Sequence, residues 1–155
     1  QRQMCIRDSS LLDAVTGAEV AHIKEEVDSH LQGFDEDPEG TWRDIIHRIA
    51  SLNFAAVVQA AAAEVNTASF SDDDVQEIAA QRKAELKSIY QPIIEPTRQA
   101  GLCPESLTPL ELHIGIGLIT RPLPRTPVSA DYLSGIQAQL IDTLLDGLKA
   151  QARAN

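Results

Sequence analysis

The chain has 155 residues, of which 43% are hydrophobic, so it is long enough for one domain with a substantial core. It carries 13 Lys and Arg against 23 Asp and Glu, a net charge of −10, which argues against a stand-alone nucleic-acid binder and against docking on anionic lipid. No apolar run reaches the roughly 18–20 residues of a membrane span, and two cysteines do not make a disulfide framework.

Residues 1–9 stand apart from the rest of the chain. The string QMCIRDS within them resembles the conceptual translation of a transposase-type sequencing adapter. We therefore predict that residues 1–9 are an adapter-like artefact and exclude them from reasoning about the fold. The native protein would then begin further upstream, and residues 10–155 would form one domain.

Two helices are predicted in the first third of the chain. In residues 10–32, spacings of three and four place Val20, Ile23 and Val27 on one helical face. A second helix is expected to begin at Asp37 and Pro38, an N-cap followed by a proline at the first helical position. Its expected buried stripe is Trp42, Ile45, Ile46, Ile49 and Leu52.

The middle of the chain predicts two more helices. A short Ala-rich helix, Phe54 to Val65, is apolar nearly all round, so we expect it to be central. A long helix begins after Ser71, where Asp74 completes a capping box, and ends before Gly101. The apolar face of this long helix is expected to hold Val75, Ile78, Arg82, Leu86, Ile89, Tyr90 and Ile93.

The last third predicts a helix at residues 109–120 and a final helix from Ser129 to Gln151. The alternation of Ile and Leu with Gly115 and Gly117 also fits a strand, but no other segment offers a strand partner, so we expect a helix. The fold class is therefore all-α, an antiparallel bundle of about six helices. The final helix has an unusually wide apolar stripe of Leu133, Ile136, Leu140, Ile141, Leu144, Leu145 and Leu148.

Few residues suggest a catalytic, metal-binding or ligand-binding site. His22, Glu26 and His30 share one helical face at intervals of four and are conceivable metal ligands, although their segment is mostly charged. His113 lies among apolar residues, either as a core histidine or as a polar contact in a ligand cavity. No dinucleotide, P-loop or C-x-x-C motif is present. We expect neither enzymatic activity nor a cofactor or resident metal.

The order of several motifs resembles the C-terminal domain of TetR-family (tetracycline-repressor-like) transcriptional regulators. Residues 10–15, SLLDAV, are similar to the junction after that family's helix-turn-helix, and residues 37–52 look like its fifth helix. Residues 82–102, with Tyr90 and Pro92, resemble its seventh helix, and LLDGL at 144–148 resembles the end of its last helix. The resemblance spans residues 10–155. The helix-turn-helix itself is missing, and Pro96 is a departure from the family pattern.

The resemblance implies an effector-binding and dimerisation domain of a cytoplasmic, bacterial-type regulator, with repression and activation both open. It implies a homodimer, a small-molecule effector of unknown identity, and operator DNA bound only through the missing N-terminal domain. The implied ligand-binding residues are Trp42, Ile46, Val58, Tyr90, Ile93, His113 and Gly117. The expected dimer interface, with help from the helix at 109–120, is Leu133, Ile136, Leu140, Ile141, Leu144 and Leu148.

Two other functions remain open at this point. One is a helical interaction or scaffold bundle without a ligand, which a cavity between the middle helices would disfavour. The other is a metal-binding helical protein that uses His22, Glu26 and His30, which metal titration would test.

Overall fold

The computed structural model describes residues 2–64, 71–124, 126–127, 129 and 131–154, without the side chains of 2–9, 62, 64 and 134. These ranges contain no strand, so the expected all-α class is confirmed, including the helix at 109–120. The six α-helices are α1 (Arg2–His30), α2 (Pro38–Ser51), α3 (Phe54–Glu64), α4 (Asp72–Gln99), α5 (Pro109–Thr120) and α6 (Leu133–Ala154), with a 3-10 turn at Leu31–Gly33 between α1 and α2.

The beginnings of three helices follow from local side-chain chemistry. Asp37 caps α2, with its carboxylate accepting a hydrogen bond from the backbone of the helix. Ser71 and Asp74 form a capping box at the start of α4, and Thr108 and Glu111 form another at the start of α5. Each box satisfies backbone N–H groups that have no partner within the helix, so these predicted starts are confirmed.

The end of α4 is a Schellman motif. Gly101 has a φ of +70°, and its N–H donates to the Arg98 carbonyl at 2.8 Å. The N–H of Leu102 reaches back to the Thr97 carbonyl at 3.0 Å. Glycine suits this position because it adopts a left-handed conformation without the steric cost of a Cβ. The chain therefore turns sharply from α4 towards α5.

The core is aliphatic, as the composition predicts. It lies between α1, α2, α4, α5 and one side of α6, and its aromatic side chains are Phe34, Trp42, Phe54 and Tyr90. The fully buried aliphatic residues include Ile23, Val27, Ile45, Ile46, Ile49, Ile93, Ile94, Leu112, Ile116, Ile141 and Leu145.

The central helix is α5, and the expectation that the Ala-rich helix is central is wrong. Helix α5 contacts α2, α3, α4 and α6, whereas α3 packs on α1 and α5 and leaves Val57 exposed. The reason is that alanine methyl groups bury little area, so an Ala-rich surface gains little from a central position.

Two further boundaries or faces differ from expectation. Helix α6 begins at Leu133, because Ser129 instead exchanges hydrogen bonds with Thr126 in a turn. Val75 is exposed, because burial on α4 is confined to the second half of the helix. The predicted end of the Ala-rich helix at Val65 lies outside the described residues.

Helix α1 continues through residues 2–9, the segment that the sequence sets apart. The chain has neither proline nor glycine before Gly17, so its backbone chemistry does not interrupt a helix there. The artefact assignment and the domain boundary at residue 10 stay predictions.

Charged side chains join α2 to one side of α6. The guanidinium of Arg43 pairs with Asp142 at 3.3 Å, and Nε2 of His47 lies 2.8 Å from the same carboxylate. Lys149 donates to Glu39 at 2.6 Å. Surface ion pairs add little stability, so burial of Ile141, Leu145 and Leu148 in the core sets which face of α6 remains outside.

Candidate functional site

His113, on α5, lies at the centre of an aromatic cluster. Its ring stacks on Phe54 of α3, with ring centroids 4.3 Å apart and planes inclined by 14°. Its Nδ1 shares a hydrogen bond of 3.2 Å with the hydroxyl of Tyr90 on α4. The three residues therefore join α3, α4 and α5 at one point.

Burial keeps His113 uncharged at neutral pH. Loss of hydration lowers the pKa of the imidazole to about 4, because the charged form is the one that needs water. The same effect raises the pKa of the Tyr90 hydroxyl well above its ordinary value, so this group stays protonated. Within the described part of the chain Nδ1 is the ring nitrogen of His113 that takes part in a hydrogen bond.

A cavity of about 190 Å³, here called the His113 cavity, lies between α1, α3, α4 and α5. Its walls follow helical spacing, so each helix presents one face to it. An engineered cavity of about 150 Å³ binds benzene, and the His113 cavity therefore has room for a single-ring molecule. The lining residues are Thr16, Glu19, Val20, Ile23, Phe54, Val58, Arg82, Leu86 and His113.

A cleft of about 380 Å³ adjoins the His113 cavity and shares Phe54, Val58 and His113 with it. Gly117 forms part of the wall of this cleft. A Cβ at that position would lie 3.2 Å from the Phe54 ring, so a side chain there would press on the stacked pair. The glycine therefore keeps the cleft open beside the rings.

Arg82 forms the polar wall of the His113 cavity and ties α4 to α1. Its side chain is 15% exposed, and its Nε donates to the Thr16 hydroxyl at 3.0 Å. The guanidinium also donates to the Asp13 carbonyl at 2.9 Å and pairs with the carboxylates of Asp13 and Glu85. Two negative charges therefore offset the one positive charge in this wall.

Glu19 is the other charged residue in the wall. Its side chain is only 13% exposed, and Nδ1 of His22 lies 3.9 Å from its Oε1. That distance is too long for a hydrogen bond, and none reaches the Glu19 carboxylate from elsewhere among the described residues. Glu19 therefore adds to the cavity wall a side chain whose carboxylate accepts no hydrogen bond from the described residues.

The residues implied as ligand contacts divide into two groups. Val58, His113 and Gly117 line the His113 cavity or its cleft, and Tyr90 reaches His113 through its hydroxyl. The remaining three residues are Trp42, Ile46 and Ile93. They are at most 1% exposed and belong to the packed core, a placement that does not favour contact with a ligand.

Sequence reasoning missed most of the wall of the His113 cavity: Thr16, Glu19, Val20, Ile23, Phe54, Arg82 and Leu86. Arg82 carried a signal, because it is the one charged residue on the expected apolar face of its helix. Glu19 carried none, because it precedes a run of charged residues and only the packing of α4 against α1 buries it.

Helices α5 and α6 present a shared apolar surface, here called the α5–α6 face. Its members on α5 are Ile114 and Leu118, which are 50% and 62% exposed. On α6 they are Ile136 and Leu140, 48% and 45% exposed, together with the half-buried Leu144. Apolar residues that recur on adjoining helices form a patch, which in a soluble domain usually marks an interface.

The residues expected at a dimer interface therefore lie on two sides of α6. Ile136 and Leu140 are exposed and Leu133 and Leu144 are half-buried, as an interface requires. By contrast, two of the predicted interface residues, Ile141 and Leu148, are buried in the protomer's own core. The predicted interface is therefore smaller by these two residues.

The candidate metal ligands on α1 do not converge as a set of three, although Nδ1 of His30 lies 3.6 Å from the Glu26 carboxylate. His22 lies beside Glu19, and Nδ1 of His30 is hydrogen-bonded to the backbone carbonyl of Glu26 at 2.9 Å. No group of three His, Cys, Asp or Glu among the described residues has the geometry to hold a metal ion.

The described helices include none with both the length and the apolar character of a membrane span. No family model matches the chain, and neither a curated protein nor a solved structure matches it. Function is therefore inferred from the His113 cavity and the α5–α6 face.

Proposed function

We propose that this chain is the ligand-sensing and dimerisation domain of a cytoplasmic transcriptional regulator of the TetR type. The observation that carries the proposal is the His113 cavity, which four helices enclose with mainly apolar walls and a few polar groups. Sites for small molecules have this composition, with apolar walls for affinity and a few polar groups for orientation.

The α5–α6 face supports the dimerisation part of the proposal. A two-fold axis would pair α5 and α6 with their copies in a four-helix bundle, since a cyclic dimer uses the same patch on both subunits. Ile114, Leu118, Ile136, Leu140 and Leu144 would become buried between the protomers.

Helix α1 is the element through which a ligand would act at a distance. It supplies Thr16, Glu19 and Ile23 to the cavity wall and is held to α4 by Arg82. If a ligand binds more tightly when α1 is in one position than in another, it shifts the equilibrium of α1 towards the first position. In a regulator dimer this shift changes the separation of two DNA-reading heads, and operator DNA is bound only through a helix-turn-helix that precedes residue 10.

The experiment that tests the regulator class is recovery of the genomic reading frame upstream of residue 10. The proposal expects roughly 45–50 additional residues, a length taken from the resemblance, with a helix-turn-helix pattern and a basic surface, since phosphate contacts need Lys and Arg. An upstream segment of that length without either feature would contradict the proposal.

A ligand-free interaction bundle is the second candidate, because the α5–α6 face alone would serve it. The two candidates differ in the His113 cavity. A bundle that only binds protein has no need of a cavity between its helices, whereas a sensor of small molecules requires one.

A further inference from the structure

We propose that the His113 cavity selects ligands that join an apolar ring to a positively charged amine, and that Glu19 binds the charge. This inference rests on the proposed function, which requires only that the cavity hold a small molecule. It adds the chemical class of that molecule.

The charge balance of the wall favours a cation. Arg82 is the cation that lines the cavity, and its guanidinium is already paired with Asp13 and Glu85. Its Nε is used by Thr16. An anionic ligand would have to displace one of these partners, so Arg82 is a poor anion site.

Glu19 supplies the charge that remains to be matched. Glu19 lines the cavity with a side chain that is 13% exposed, while its neighbour His22 is 57% exposed and too distant for a hydrogen bond. An ammonium group in the cavity would donate to this carboxylate in a charge-assisted hydrogen bond, which is stronger than one between neutral groups. The same carboxylate would repel a negatively charged ligand.

The rest of the cavity lining suits an apolar, cation-tolerant ligand. His113 is uncharged at neutral pH and does not repel a positive group. Val20, Ile23, Val58 and Leu86 provide aliphatic contact, and the volume of about 190 Å³ limits the ligand to about one ring.

Three probes of matched shape and different charge test the inference. They are 2-phenylethylamine, 2-phenylethanol and phenylacetate, each titrated into the whole chain at pH 7.5 in an isothermal calorimeter. We expect the amine to bind at least tenfold more tightly than the alcohol, and phenylacetate to bind most weakly.

A substitution assigns the preference to Glu19. Glu19→Gln keeps the shape and removes the charge, so it should weaken binding of the amine about tenfold and leave the alcohol unchanged. Glu25→Gln, an exposed residue of the same helix, is the control and should change neither. Unchanged binding of the alcohol also shows that the variant is folded with its cavity intact.

The outcomes separate the two proposals. If the alcohol or the carboxylate binds as tightly as the amine, or if Glu19→Gln leaves amine binding unchanged, the charge selection is wrong and the sensing function stands. If none of the three probes binds, the charge selection is overturned, whereas the sensing function is tested separately by the reading frame upstream of residue 10. Should Glu19→Gln fail to fold, the ranking of the probes on the unaltered chain still decides.

Discussion

The imidazole of His113 stacks on the phenyl ring of Phe54 at 4.3 Å between centroids, and this pair borders both the His113 cavity and the adjoining cleft. Phe54 is the first residue of α3, whereas His113 lies within α5. A molecule in either space therefore contacts the pair, and movement of α3 relative to α5 would alter both spaces together.

Acid should destabilise the protein through His113. Its pKa is about 4 in the folded protein and near 6.5 in an unfolded chain, so the unfolded chain binds the extra proton between these values. The stability due to the neutral ring is present above pH 6.5 and is lost as the pH falls to 4, by roughly 3 kcal/mol.

Urea unfolding at pH 7.5 and pH 4.5 measures this loss. His113→Gln should reduce the decrease between the two pH values by roughly 2–3 kcal/mol, whereas His22→Gln, at an exposed position, should not. An identical decrease in wild type and His113→Gln would show that the ring is not the group responsible.

The hydrogen bond between Tyr90 and His113 should contribute a measurable coupling energy. Tyr90→Phe leaves Nδ1 of His113 without a partner, and His113→Phe leaves the buried Tyr90 hydroxyl without one. In a double-mutant cycle at pH 7.5 we expect the two changes to couple by about 1 kcal/mol. Effects that add to within about 0.3 kcal/mol would argue that the bond contributes nothing.

Charge on the α5–α6 face should separate the dimer. Leu118→Glu and Leu140→Glu place a carboxylate in the proposed interface, where burial without a partner costs several kcal/mol. In sedimentation equilibrium at micromolar concentration we expect the wild type at twice 16.9 kDa and both variants at 16.9 kDa.

Val75→Glu is the matched control for the dimer, because Val75 is equally accessible but lies at the start of α4. This variant should remain dimeric. A wild-type chain that sediments as a monomer under these conditions would rule out dimerisation through this face.

Gly101 should be required for its backbone conformation rather than for space. A Cβ there would meet nothing within 4 Å, but the φ of +70° is unfavourable for alanine. Gly101→Ala should therefore lower the free energy of unfolding by about 1–2 kcal/mol, and Gly101→Asn should lower it less, since asparagine tolerates this region. Equal stability of the alanine variant and the wild type would refute this reading.

The helix limits were predictable wherever the signal is local. Ser71, Asp74, Thr108 and Glu111 bond within their own first turn, so four residues of sequence contain all the chemistry involved. The start of α6 was missed for the same physical reason, because Ser129 bonds within a turn that has the side-chain chemistry of a cap but lies before the helix.

The site was predictable only in part. His113 was identified because a polar ring among apolar neighbours stands out in the sequence, and Tyr90 was proposed as its polar companion. The burial of Glu19 and the pairing of Arg82 with Asp13 depend on how α1 packs against α4, over a separation of 69 residues. No local pattern contains that information.

Ligand-observed nuclear magnetic resonance with single-ring amines, alcohols and carboxylates tests most directly whether the chain senses small molecules through the His113 cavity. Val58→Trp fills the cavity, and Val57→Trp places the same ring on the exposed side of α3. We predict that some fragments bind both the wild type and the Val57→Trp variant, and that the same fragments do not bind the Val58→Trp variant. The absence of any binding fragment, or the same set of fragments binding to Val58→Trp, would contradict the account.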